Sequence, residues 1–109
     1  MIKVTLYRDN NQITSFELSG HAESGPYGYD LVCAGVSAVS IGAVNAVLEL
    51  TDIDLAIEQG SEGGYLRVTI PNSVDTEIRE KVQLLFEGMI VSLQTIERDY
   101  SQFIKIQSK

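Results

Sequence analysis

The chain has 109 residues, with no tryptophan, two prolines, one cysteine (Cys33) and one histidine (His21). A single cysteine excludes an intramolecular disulfide, and one cysteine with one histidine cannot supply a four-ligand Cys/His zinc site. Basic residues are scarce as well: eight Lys plus Arg stand against fifteen Asp plus Glu, a formal net charge of −7. Such a surface repels phosphate backbones and no basic cluster interrupts it, so no nucleic-acid partner is expected. The N-terminal segment holds Lys3 and Arg8 in an alternating pattern and lacks the apolar run of a secretory signal, which makes the cytoplasm the expected compartment. Any thiol or imidazole chemistry must run through Cys33 and His21.

What is present is ordinary globular material: 44% hydrophobic and 21% charged residues, enough for one domain over residues 1–109 with a real core. The stretch from Leu31 to Leu48 is uncharged and long enough to raise the question of a membrane span. It contains Gly35, Ser37, Ser40, Gly42 and Asn45, and acidic Asp30 and Glu49 flank it where basic anchors would stand. A helix buried inside the domain, with Gly35 and Gly42 allowing close packing on a sheet, is the expectation, and no membrane partner is.

Alternation of Ile2, Val4 and Leu6 with polar residues predicts a strand over Met1 to Arg8, and Asp9-Asn10-Asn11 a turn into a second strand over Gln12 to Leu18. Ser19 to Asp30 reads as a glycine-rich loop before the apolar helix, Leu31 to Leu50. Asp52 to Glu58 alternates Ile53, Leu55 and Ile57 with acidic neighbours and predicts a third strand. After a turn at Gly60, Gly63 and Gly64, Tyr65 to Ile70 predicts a fourth. From Ser73 a second helix carries a core stripe of Ile78, Val82, Leu85, Met89, Leu93 and Ile96. Leu84, Phe86, Ile90 and Val91 widen it, as a dimer contact would. Ser101 to Gln107 closes the chain as a strand. The order β-β-α-β-β-α-β predicts a two-layer α+β domain, two helices on one mostly antiparallel sheet.

Asp30 is a good N-cap residue and places Cys33 in the first helical turn, where unpaired amides and the helix dipole favour a thiolate. The same amides could receive a developing oxyanion, except that an Asp30 carboxylate capping the Cys33 amide would occupy that donor. His21 lies at the other end of the glycine loop and could reach the thiol, taking its proton and returning it to a leaving amine. Asp30 and Ser37 are the nearby candidates for orienting the imidazole. Each residue also has a plainer reading: Cys33 as a small buried hydrophobe, His21 as a solvated loop residue, Asp30 as a cap alone and Ser37 as a helix residue bonded to its own backbone. The loop lacks the Lys-Ser/Thr ending of a phosphate loop. Asp52, Asp54, Glu58 and Glu62 suggest a solvated strand face rather than a calcium site.

Gly20-His21-Ala22, the glycine loop, and Gly28-Tyr29-Asp30-Leu31-Val32-Cys33-Ala34-Gly35-Val36-Ser37 resemble the two-part signature of the ribosomal-processing cysteine protease family, Prp. Element order, length and acidic character agree with that family over essentially the whole chain; many of its members carry alanine at the position of Gly35. The resemblance implies a bacterial cytoplasmic homodimer that removes a short N-terminal extension from large-subunit ribosomal protein twenty-seven, cutting after paired aromatic residues. It further implies Cys33 as nucleophile and His21 as general base. Gly20, Gly25, Tyr27, Gly28, Tyr29, Asp30, Ala34 and Ser37 fall at supporting or substrate-binding positions, and the loop from Ala22 to Tyr29 would order over bound peptide. Neither metal nor cofactor is implied. The negative surface suits a basic protein substrate, and Tyr27 and Tyr29 suit an aromatic-accepting pocket. Two other classes remain open: a non-catalytic ribosome-associated binding module, and a thiol redox sensor acting through Cys33.

Overall fold

A computed structural model describes residues 1–21, 30–60 and 64–109. Its elements are β1 (Ile2–Asp9), β2 (Gln12–Ser19), α1 (Leu31–Leu50), β3 (Ala56–Gln59), β4 (Tyr65–Thr69), α2 (Thr76–Asp99) and β5 (Ile104–Ser108). The strands form one sheet in the order β3-β4-β2-β1-β5, antiparallel throughout except for the parallel pair β1 and β5. With two helices added this is the expected α+β two-layer architecture.

The β1–β2 turn is made by Asn10 and Asn11, both left-handed at φ 52° and 67°, a conformation that asparagine tolerates better than most residues. The register slips by one between Tyr7 and Arg8, a β-bulge that turns Ile13 inward beside Phe16 and Leu18. Helix α2 serves the bulge. Gln83 accepts from the Ile13 amide and donates to the Ile13 carbonyl, both at 2.8 Å, in place of a neighbouring strand. Phe16 and Phe86 meet edge to face at 5.0 Å and, with Val4, Val68, Val82 and Leu93, form the fully buried centre.

Several expectations change. The third strand is confined to Ala56–Gln59: Ile53 and Leu55 are buried, but in an extended lead-in outside the ladder, while Ile57 on the sheet edge is 40% exposed. Helix α2 starts at Thr76 rather than Ser73, because Arg79 reaches back to the carbonyls of Asn72 and Val74 and holds the lead-in out of the helix. Phe86 and Ile90 belong to the core stripe itself, and only Leu84 and Val91 remain as exposed apolar residues beyond it.

Helix α1 has the expected bounds but not the expected surroundings. It buries Val32, Val36, Ser40, Val44 and Val47, while Ala34, Ala38, Ile41, Asn45 and Leu48 face outward. Close packing on the sheet is not what Gly35 and Gly42 provide. A Cβ on Gly42 would meet nothing, and one on Gly35 would make ordinary contact with Ile96 of α2, so an alanine would fit there.

Candidate active site

Helix α1 begins where the sequence places it because Asp30, extended at φ −78° and ψ 92°, accepts from the Cys33 amide with Oδ1 at 3.0 Å, while its carbonyl accepts from Ala34. Cys33 thus sits in the first turn with its side chain half-buried. The conflict foreseen between cap and oxyanion donor goes to the cap: the Cys33 amide is occupied by the Asp30 carboxylate and is not available to a carbonyl oxygen in this arrangement.

β2 ends at Ser19, and the Gly20 amide prolongs its ladder by donating to the Gly64 carbonyl at 2.8 Å. Gly20 itself is left-handed at φ 93° and lies so close to Met1 that any Cβ would strike the Met1 carbonyl. The Met1 ammonium donates to the His21 carbonyl at 2.8 Å, so the backbone of His21 is braced by the start of β1. From there the imidazole reaches across to α1, with Nδ1 3.8 Å from Cys33 Sγ. This exceeds the roughly 2.6–3.2 Å of a working nitrogen or oxygen hydrogen bond, as is common in unliganded sites, and suits the larger radius of sulfur.

Beside the pair opens a cleft of about 280 Å³ between the start of α1 and the ends of β2 and β4, lined by Gly20, Cys33, Ser37, Ile41, Gly64 and Tyr65 among others. A thiol and an imidazole in contact at the rim of such a cleft define a site for nucleophilic attack on a bound carbonyl. Ser37 lies one turn beyond Cys33 and lines the cleft, but among the described residues it makes no hydrogen bond to His21. Ala34 is exposed beside the thiol. Gly25, Tyr27, Gly28 and Tyr29, with the rest of the loop from Ala22, lie outside the described residues. No cluster of three His, Cys, Asp or Glu side chains suited to a metal occurs among the described residues, Asp52, Asp54 and Glu58 included; Glu62 lies outside them.

Sequence reasoning missed Gly64 and Tyr65, read there only as a turn and a strand start. The place of Gly64 beside His21 and of Tyr65 in the cleft depends on β4 pairing with β2 at Ser19↔Tyr65, which no local pattern discloses.

Thiol, imidazole and cleft together are those of a cysteine hydrolase. Comparison with known proteins agrees and narrows the class. The family model for the cysteine protease Prp matches residues 1–105. The ribosomal processing cysteine protease Prp of Bacillus subtilis is 50% identical over 107 residues, 97% of this chain and 96% of its own length. The Staphylococcus aureus protein of the same name is 42% identical over 101 residues, covering 93% and 92%. A crystal structure of the essential ribosomal processing protease Prp from S. aureus, in complex with a covalently linked product peptide, superposes with a TM-score of 0.90 at 38% identity over the full length of both chains. The chain belongs to the Prp family of ribosomal processing cysteine proteases.

Proposed function

We infer that the protein cleaves a peptide bond in the N-terminal extension of a ribosomal protein precursor, large-subunit protein twenty-seven, by means of a Cys33–His21 dyad. The observation that carries this reading is the 3.8 Å approach of His21 Nδ1 to Cys33 Sγ at the start of α1. In the first half-reaction His21 Nδ1 takes the thiol proton, Sγ bonds to the scissile carbonyl carbon, and the proton passes to the departing amine as the C–N bond breaks. In the second, His21 removes a proton from water. The hydroxide adds to the thioester carbon, and the carboxylic acid leaves as the C–S bond breaks and Sγ is reprotonated. The covalently linked product peptide in the S. aureus relative supports such an acyl route here.

The substrate assignment draws support from the relatives' ribosomal processing role and from the charge of −7, which attracts a basic ribosomal protein and raises its encounter rate. The same reading places the protein in the bacterial cytoplasm as a homodimer. The outer face of α1, uncharged from Leu31 to Leu48, and the exposed Leu84 and Val91 of α2 favour association.

The test is cleavage of a peptide carrying the extension's paired aromatic residues. Wild type is expected to cut after them, Cys33→Ala to show no turnover, and His21→Ala to lose about 10²–10⁴-fold in rate, the usual size of a general-base contribution. Light scattering on the same preparation is expected to give the mass of two chains. Binding without cleavage by wild type would overturn the protease assignment for this substrate, and an undiminished rate in His21→Ala would remove the dyad.

A further inference from the structure

Gly64 ends the β3–β4 turn, far from Cys33 in sequence, yet it is in direct contact with the imidazole. A Cβ placed on it would lie 2.6 Å from His21 Nε2 and 3.2 Å from both Cδ2 and Cε1. The ring therefore presents its Nε2 edge to the bare Cα of Gly64 and its Nδ1 edge to the Cys33 thiol. The contact is held at its base as well, since the Gly20 amide donates to the Gly64 carbonyl at 2.8 Å and His21 is the next residue along. One turn residue thus fixes both the backbone leading to His21 and the place where the ring rests.

We propose that Gly64 is a positioning residue for the hydrolytic reaction: lacking a side chain, it provides the seat that aims His21 Nδ1 at Cys33 Sγ. The proposal rests on the reading of His21 as the general base. Backbone conformation alone does not account for the glycine. At φ 74° asparagine is also tolerated, whereas a seat for the ring excludes every residue with a Cβ. Such a Cβ would displace the imidazole by roughly 1 Å to restore ordinary contact, and misplacement of that size costs on the order of 10²-fold in rate.

Because the chain has one histidine and one cysteine, both partners can be followed without ambiguity. In folded wild type, nuclear Overhauser contacts are expected between the Gly64 α-protons and the His21 ring protons. Gly64→Ala and Gly64→Asn are expected to shift the imidazole resonances, slow alkylation of Cys33 by iodoacetamide near neutral pH about tenfold or more, and lower kcat while KM changes little. Asn11→Ala, an equally left-handed position in the distant β1–β2 turn, is expected to lose thermal stability alone. Absence of the ring contacts in wild type would overturn the proposal even if neither variant folded. So would a Gly64→Asn protein with unshifted imidazole signals and the wild-type alkylation rate. If instead His21→Ala alkylates and cleaves as fast as wild type, the dyad reading fails, while the ring contacts still decide whether Gly64 seats the imidazole.

Discussion

The side chain of Asp30 joins two roles at the residue scale, since the carboxylate that starts helix α1 also holds the amide of Cys33, the proposed nucleophile. Removing it exposes a first-turn donor and forfeits the cap. Asp30→Ala is expected to destabilise the protein by about 1 kcal/mol, and Asp30→Asn by only a few tenths. Thermal unfolding checks this, and on a chain of this size the alanine variant should melt roughly 4 °C or more below wild type. Both residues of the proposed dyad could be singled out in the sequence because scarcity pointed to them and a local cap signal located the thiol. Gly64 was not, since its meaning lies in a partner 43 positions earlier that only the sheet brings near.

The elements are bound to one another by side chains that repair local irregularities. Gln83 of α2 supplies a donor and an acceptor to Ile13 at the β-bulge, where the β1–β2 ladder leaves both groups short of a strand partner. Gln83→Ala should therefore cost about 1–3 kcal/mol, the penalty for stranding partly buried backbone groups. Urea unfolding is the measurement, with the midpoint falling at unchanged slope. Element order and the bounds of α1 were readable because a cap and an unbroken apolar run marked them. The outward face of that helix was not: a run without a charged side looks buried all round, and only the position of the sheet reveals which residues it covers. Asp52 to Leu55 misled for a related reason. Alternation records which side chains turn inward, whether or not a neighbouring strand takes up the backbone.

Across the whole molecule, the sheet and helix layers are clamped near the β1–β2 turn by Arg8 and Glu87, which pair through two contacts of 2.7 and 2.9 Å. The Arg8 hydrogen bonds hold the Glu87 carboxyl below the usual carboxylate range, against an opposing effect of partial burial. In acid the unfolded chain thus binds this proton before the folded one does. The clamp's stabilisation is complete above the usual carboxylate range and is lost as pH falls through and below it. Both groups are substantially exposed, so Glu87→Gln should reduce stability at pH 7 by no more than about 1 kcal/mol. The deficit should shrink as pH falls through roughly 4 and vanish once Glu87 is protonated in the folded state as well, as pH-dependent denaturant midpoints would show. The parallel pairing of β1 with β5 reaches further. Ile2 lies opposite Ile104, and the Ile2 amide bonds to the Phe103 carbonyl. This joins opposite ends of the chain across one of the longest loops it can close, at a correspondingly large entropic cost. Met1, which braces His21, is set in place nearer by, since the β1–β2 register of Lys3 with Ser19 runs on to Met1 opposite His21. During synthesis the thiol, the imidazole and the Met1 brace leave the ribosome early, yet the cleft must wait for Gly64 and Tyr65 at the start of β4. A nascent chain would carry both reactive groups for an interval of its translation without the completed site.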